Sequence, residues 1–377
     1  MDPIRVIAGL VAHRGRAAGT DAERRAALYL RDRLEDLGRP AELQPVQVRT
    51  RFGLTHTLHA LLAIVGSVVA VADAPTGAAI VLLAALSTFL DATGIVHLVR
   101  RVTGRRMSQN VESRVEGGKP GTLVLVAHYD AAREAPSFAL ATRLLRDPWL
   151  AMLVAMVVVL ICCGLRVAGL EGTALTSAQF VPTVLLILMV PVLGDIELSA
   201  AGAAAADNAA GVAVALQLAD DLDDRLDHFD LWVVLTGAQQ PFALGMTAWL
   251  RLRRPELEAE STVILNIDGL GDGPLHYSRR QGPILALRTH RQLTQICAQI
   301  ARDGGHEAWP TVVHAANDAG AAVARGIPAI TITSPGTMLD PDALARAYGF
   351  CRELAQRVDA EVGPRLAVPG SPKPSAA

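Results

Sequence analysis

The chain has 377 residues and a net charge of −2, so its composition gives no reason to expect a nucleic-acid partner. Mean hydropathy is +0.32 although aromatic residues make up only 4%, and the apolar excess is gathered into a few segments. The four cysteines, Cys162, Cys163, Cys297 and Cys351, lack metal-site spacing and read as small buried hydrophobes in a reducing compartment, not as a disulfide framework.

The opening stretch "MDPIRVIAGLVAHRGRAAGT" has too short an apolar run, with arginine too early, to be expected as a signal peptide. "TDAERRAALYLRDRLEDLG" predicts an amphipathic helix, capped by Thr20 or Asp21 and ended by Gly38, with Ala27, Leu28, Leu30, Leu34 and Leu37 near one face. Four apolar segments then reach the length of roughly 20 residues needed to cross a bilayer: Phe52 to Ala72, Thr76 to Leu98, Trp149 to Leu165 and Thr173 to Gly194. Short connections pair them into two transmembrane hairpins, residues 52–99 and 149–197. One domain of this size rarely hides four such helices in a soluble core.

Orientation follows from arginine. Arg49 and Arg51 precede the first hairpin, Arg100, Arg101, Arg105 and Arg106 follow it, and Arg143 and Arg146 precede the second. The tips carry only Asp73 in one case and Arg166 with Glu171 in the other. The tips are therefore expected outside and everything else in the cytoplasm, giving a multi-pass integral membrane protein with four spans. Asp91 would cost about 2.5–3.5 kcal/mol at a span's centre. It lies nearer the cytoplasmic end, so an interfacial or helix-packing role is expected for it rather than transport.

Without the hairpins, residues 1–51, 103–148 and 198–362 alternate strands and helices. "TLVLVAHYD", "FDLWVVLTGAQQ", "STVILNIDGLG" and "GIPAITITS" read as strands; "DNAAGVAVALQLADDL", "TAWLRLRRPELE", "HRQLTQICAQIARDGG" and "DPDALARAYGFCRELAQRVDAEV" read as helices. That pattern predicts one α/β domain, with a largely parallel central sheet covered by helices on both faces. The tail, residues 363–377, is expected to be disordered.

Strand ends in such sheets are where ligands bind. His128, Asp207, Gln239, Gln240 and Asp268 all fall there. Each has a plainer role open to it: His128 as a structural histidine, Asp207 as a helix N-cap, Asp268 as a turn residue before Gly269. Together, one imidazole and two carboxylates make a zinc half-site. Asp130, two residues after His128, could take the free imidazole N–H.

The order "HYD", "DNAAG", "LTGAQQ…LG", "NIDGLG", "ND…GIPAITI" resembles metallopeptidase family 28, which contains zinc aminopeptidases, glutamate carboxypeptidase-like enzymes and glutaminyl cyclases. "GRAAGTDAERRAALYLRDRLEDLGRPAELQPV" and "SQNVESRVEGG" resemble its leading helix and early strands, so the likeness covers nearly all of the chain outside the hairpins. The resemblance implies that His128 and Asp268 bind the first metal, that Asp207 bridges two metals, and that Asp130 orients His128. It also places this chain's departures. The family's general base and a ligand of its second metal are glutamates, and Gln239 and Gln240 stand in their places. The family's last histidine ligand has no counterpart, because no histidine follows His314.

Glutamine cannot act as a base, and a positioned general base contributes about 10²–10⁴-fold. Two divalent metals would bring a charge that Asp207 and Asp268 cannot balance, so at most one zinc ion at the half-site is expected. Glutaminyl cyclase chemistry is disfavoured, since its single zinc uses the positions of Asp207, Gln240 and the missing histidine. The expectation is a membrane-anchored, catalytically impaired homologue that binds a peptide or protein near the membrane surface. The alternative is an active zinc-dependent aminopeptidase or amide hydrolase with a one-metal site. A transporter is disfavoured by the few polar groups within the spans. The second hairpin separates "HYD" from "DNAAG", two loops expected to line the site, which places the expected cleft mouth close to the membrane.

Overall fold

The computed structural model describes residues 1–94, 96–145, 147–202, 208–240, 242–303 and 306–362. In chain order the elements are α1 (Pro3–Ala12), α2 (Asp21–Asp36), β1 (Glu42–Val48), α3 (Phe52–Ala72), α4 (Ala74–Ala92), a 3-10 turn (Val99–Val102), β2 (Arg106–Arg114), β3 (Gly121–His128), α5 (Pro136–Leu145), α6 (Pro148–Val167) and α7 (Thr173–Leu198). They continue with α8 (Ala209–Leu222), β4 (Phe229–Thr236), α9 (Leu244–Arg253), β5 (Thr262–Leu270), β6 (Leu275–Gln281), β7 (Leu287–Arg288), α10 (Arg291–Asp303), β8 (Ala308–Val313), α11 (Asp318–Val323), β9 (Ala329–Ser334) and α12 (Pro341–Arg357). Two compact units emerge, one from residues 1–48, 107–132 and 201–377, the other from residues 49–106 and 133–200. The expected disordered tail, 363–377, lies outside the described residues.

The first unit is a nine-stranded sheet in the order β1-β2-β4-β3-β5-β9-β6-β7, with β8 pairing β6. Its centre, β4-β3-β5-β9, is parallel, as the alternating strand–helix pattern predicts. Its flanks are not: β2 runs antiparallel to β4, and β6 runs antiparallel to both β9 and β7. The sheet is therefore mixed, which corrects the expectation of a largely parallel one. The β6–β8 region escapes the sequence pattern because "LHYSRRQ" and "AWPTVV" carry polar residues or proline where buried strands carry apolar runs.

Alternation along the central strands divides the core. Leu123, Leu125, Leu231, Val233, Leu235, Val263 and Leu265 pack with residues of α1, α2, α8, α10 and α12. Val124, Val126, Trp232, Val234 and Ile264 pack with α9 and α11 on the other face. Period-two side-chain placement thus covers both faces of the sheet with helices.

The second unit is a bundle of α3, α4, α6 and α7, each long and apolar enough to cross a membrane. Its outer surface is apolar, and its interior holds polar groups beside a buried apolar cluster. Val68, Val71, Leu83, Phe180, Val181 and Leu188 are exposed, while His56, His59, Ser67, Ser87, Thr88, Asp91, Gln179 and Thr183 are buried. The buried groups bond between helices: His59 Nε2 to Ser87 Oγ at 2.8 Å, Ser67 Oγ to Thr183 Oγ1 at 2.8 Å, and Gln179 Nε2 to the Ser67 carbonyl at 2.7 Å. Gly66 and Gly77 let α3 and α4 approach so closely that a Cβ on Gly77 would collide with Ala70. Small residues and interhelical hydrogen bonds are what hold helices together where lipid removes any hydrophobic gain from packing.

Asp91 is fully buried at the end of α4. It accepts from Arg100 Nε at 3.1 Å and Nη2 at 2.6 Å, lies 2.8 Å from His97 Nδ1, and lies 3.4 Å from His56 Nε2. These contacts tie α3, α4 and the 3-10 turn together, a helix-packing role.

Candidate functional site

β3 delivers His128 to the sheet face that carries α9 and α11, since it continues the alternation of Val124 and Val126. In the parallel ladders His128 stands opposite Thr236, and Val126 opposite Asn266. β5 does not end at Asp268 but runs on to Leu270, with an irregularity against β9 between Ile267 and Leu270. Gly269 adopts the left-handed backbone there, with φ of 65°. Asn208 holds this bulge: its Nδ2 donates to the Ile267 carbonyl at 2.8 Å and its Oδ1 accepts from Gly269 N–H at 3.0 Å.

The rest of "DNAAG" follows from that clamp. Asn208 makes no side-chain cap bond to α8, since its amide is spent on β5. A Cβ on Gly211 would collide with the Asn208 side chain and the Ile267 carbonyl. Gly211→Ala is therefore expected to lower stability by about 1–3 kcal/mol through overpacking, read by thermal unfolding. An unchanged midpoint would mean the α8–β5 contact is looser than its geometry. Asp207, the expected bridging metal ligand, lies outside the described residues.

The bulge brings Asp268 Oδ1 to 3.2 Å from His128 Nε2. On its other side, His128 Nδ1 lies 3.2 Å from the Asp130 carbonyl and 3.4 Å from Asp130 Oδ1. Burial disfavours the imidazolium, but hydrogen bonds to Asp130 and Asp268, with their charges, hold its pKa well above the ordinary imidazole value. His128 and Asp130 are both buried, and Asp268 is partly open.

The donor set fits zinc only in part. Two ligands on one tetrahedral zinc stand about 3.3 Å apart, given bonds of about 2.0–2.1 Å, so the His128–Asp268 separation suits a shared ion as well as a hydrogen bond. Asp130 sits where a second carboxylate orients a metal-bound imidazole. Among the described residues, however, no group of three His, Cys, Asp or Glu side chains is placed to hold a metal. A second ion fits worse. Gln240 offers a neutral amide, and Ser334, at the end of β9, is spent on the β5–β6 connection, its hydroxyl shared between the carbonyls of Gly273 at 2.5 Å and Gly271 at 3.1 Å.

Gln239 and Gln240 lie on the turn after β4, and two buried acids grip three successive N–H groups of it. Glu23 Oε1 accepts from Ala238 at 3.0 Å; Asp130 Oδ1 and Oδ2 accept from Gln239 and Gln240, each at 3.1 Å. Successive amides in such a turn form a nest for acceptors, here filled by the carboxyl oxygens of Glu23 and Asp130. The Gln239 side chain is buried, donates from Nε2 to the Ala316 carbonyl at 3.3 Å, and leaves Oε1 without a hydrogen-bond partner among the described residues.

Two acids of the site have no role that the sequence pattern assigns. Asp318, in the "ND" pair, opens α11 on the His128 side of the sheet. Thr236 Oγ1 donates to its Oδ2 at 2.5 Å, while Oδ1 has no partner among the described residues. Burial pushes its pKa up to about 7; the Thr236 bond and the charge of His128 pull it down, and Asp268 and Asp130 push it up. Glu23 is the other. "TDAE" has the form of a capping box, and Thr20 does accept from Glu23 N–H at 3.2 Å. Yet the Glu23 carboxylate turns inward to Gly19 N–H at 2.7 Å, Ser108 Oγ at 2.6 Å and Ala238. A capping box is legible in the residues; the inward turn is not.

Burial first, and the charge of Asp130 second, raise the pKa of Glu23 to about 8. A pKa above its unfolded value means the folded state binds the proton more tightly. The resulting stability is full below the unfolded value near 4.5 and disappears as pH rises through about 8. Between about pH 6 and about pH 9 the protein is expected to lose roughly 2–3 kcal/mol, and Glu23→Gln to flatten that slope, as followed by unfolding midpoints across pH. An equally steep slope in the variant would assign the effect elsewhere.

Comparison with known proteins agrees with this architecture. The model of peptidase family M28 matches residues 190–350, and the chain resembles that family. No curated protein matches. Among solved structures, a Zn-dependent exopeptidase from Parabacteroides distasonis ATCC 8503 aligns with a TM-score of 0.53 at 12% identity, over 94% of this chain and 96% of its own. A glutaminyl cyclase from an Acidobacteriales bacterium aligns with 0.54 at 13% identity, over 95% and 94%. A leucine aminopeptidase precursor from Bacteroides thetaiotaomicron VPI-5482 aligns with 0.53 at 11% identity, over 94% and 95%. At such identities the likeness is one of fold.

Proposed function

We propose that this M28-like chain is a membrane-anchored peptidase homologue that binds a peptide or protein end near the membrane surface with little or no hydrolysis. One observation carries the reading: the Gln239 side chain, at the position where the motif resemblance puts the family's general base, is a buried amide whose Nε2 donates to the Ala316 carbonyl. An amide in that arrangement accepts no proton from water near neutral pH. His128, Asp130 and Asp268 would hold and orient at most one zinc ion, which when bound would polarise a carbonyl oxygen. The exposed apolar faces and buried polar seams of α3, α4, α6 and α7 support the membrane anchor, and the arginines around Arg51, Arg101 and Arg143 support a cytoplasmic α/β unit. Position in the chain supports a membrane-proximal ligand, because α6 and α7 are inserted between the strand end carrying His128 and the start of α8.

The test is hydrolysis of a mixed aminoacyl- and peptidyl-fluorophore panel by the detergent-purified protein with added zinc, beside His128→Ala and Asp207→Ala. Turnover indistinguishable from both variants supports the binding role. Turnover that both variants abolish would establish the second reading, a one-metal amide hydrolase. That reading has one observation of its own: Asp318 is a buried carboxyl, its pKa raised to about 7 by burial, with one oxygen that has no partner among the described residues, a candidate for the missing base.

A further inference from the structure

The short helix α5 belongs to none of the spans, yet it is built into one end of their bundle. At that end Phe52 of α3 packs on Trp149 of α6 with ring centroids 6.3 Å apart, Phe138 of α5 packs on the same Trp149 at 5.6 Å, and His56 packs on it at 4.8 Å. Asp195, near the end of α7, accepts from Ser137 N–H at 2.9 Å and so fixes the start of α5. Two residues after α5 ends, Asp147 caps α6 by accepting from Leu150 N–H at 3.0 Å. The helix is thus held where α6 begins and α7 ends, beside Trp149, a residue type enriched at membrane–water boundaries.

One face of α5 is used in this packing, through Phe138, Ala141 and Leu145. The other is exposed and apolar: Leu140 is 57% exposed and Leu144 is 76% exposed. Arg143 shares that face, three residues from Leu140 and adjacent to Leu144. The pattern repeats in the segment that leaves α4 at the same end, where Leu98 and Val102 are exposed beside Arg101. Neither Arg101 nor Arg143 forms an ion pair among the described residues. A face that pairs exposed leucines with arginines, repeated in two segments at the same end of an apolar bundle, matches the headgroup layer of an anionic bilayer, which takes leucines into the acyl boundary and arginines onto phosphates.

We propose that α5 lies flat in the headgroup layer and, with residues 98–102, binds anionic lipid through Arg143 and Arg101. The proposal rests on the reading that the four long helices span a bilayer. It makes α5 a second, interfacial anchor, placed in the chain between the strand end bearing His128 and the α6 span.

The test uses full-length protein in proteoliposomes, with the native cysteines replaced and an environment-sensitive dye on Leu144→Cys. Val68→Cys, on the exposed face of α3, reports the span itself. Shallow spin-labelled lipids are expected to quench the Leu144 label in phosphatidylglycerol bilayers. Replacing that lipid by phosphatidylcholine, or Arg101→Gln with Arg143→Gln, is expected to lower the ratio of inserted to uninserted label by about fivefold per arginine. A Leu144 label in water while the Val68 label is quenched would overturn the proposal and leave the spans intact. Equal quenching in neutral lipid and in the arginine variants would overturn the anionic preference. A Val68 label untouched by lipid would instead overturn the membrane reading beneath both.

Discussion

Replacing Asp130 by asparagine is expected to lower stability by about 3–5 kcal/mol and to disorder the turn bearing Gln239 and Gln240. Asp130 is fully buried, and its two carboxylate oxygens serve different partners. Its Oδ1 accepts from Gln239 N–H and faces His128 Nδ1, and its Oδ2 accepts from Gln240 N–H. Asparagine keeps the shape but has one acceptor. Its NH2 would point at a backbone donor, leaving an N–H buried and unsatisfied at about 1–3 kcal/mol. The charge is lost as well, so His128 would lose one of the carboxylates beside it and keep Asp268. The measurement is thermal unfolding of Asp130→Asn in detergent, with proteolysis at the turn as a local probe. A near-native midpoint and an uncut turn would show that Glu23, through Ala238, suffices to hold it.

Much of this arrangement is legible in the residues because it depends on period and punctuation. "TLVLVAHYD" and "FDLWVVLTGA" alternate or run apolar, so the central parallel strands and the positions of His128 and Gln239 at their ends follow from chain chemistry alone. The four long apolar helices are legible from length, although their ends differ by a few residues: α4 starts at Ala74 because Asp73 caps it, and ends at Ala92, where Asp91 turns inward to Arg100. Long-range pairing is what the residues conceal. Glu23 and Ala238 are far apart in sequence, as are Thr236 and Asp318, and no local pattern announces that two acids of unassigned role meet the same strand ends. β8 is hidden for a related reason, since an edge strand, paired here only with β6, trades an apolar run for proline and polar residues.

Gln239→Glu is expected to raise zinc-dependent hydrolysis by about 10²–10⁴-fold over the parent protein, the contribution of a positioned general base. The present side chain explains both the gain and its limit. Its Nε2 is held by the Ala316 carbonyl and its Oε1 is buried without a partner among the described residues, so the site is shaped for this chain length and already carries an open acceptor position. A carboxylate there would lose the donor to Ala316 and face that carbonyl, at a cost of about 1–3 kcal/mol in the absence of metal. Asp130, which accepts from the Gln239 N–H, would add like charge beside it, and a zinc ion on His128 and Asp268 would relieve it. The variant is therefore expected to be less stable than its parent without zinc, to recover with zinc, and to lose its gain when His128→Ala is added. Zinc-restored stability without turnover would place the lesion at Gln240, where the resemblance expects a second carboxylate ligand. Equal stability of parent and variant, with or without zinc, would mean that the buried amide is not matched to its surroundings and that a different group occupies the base position.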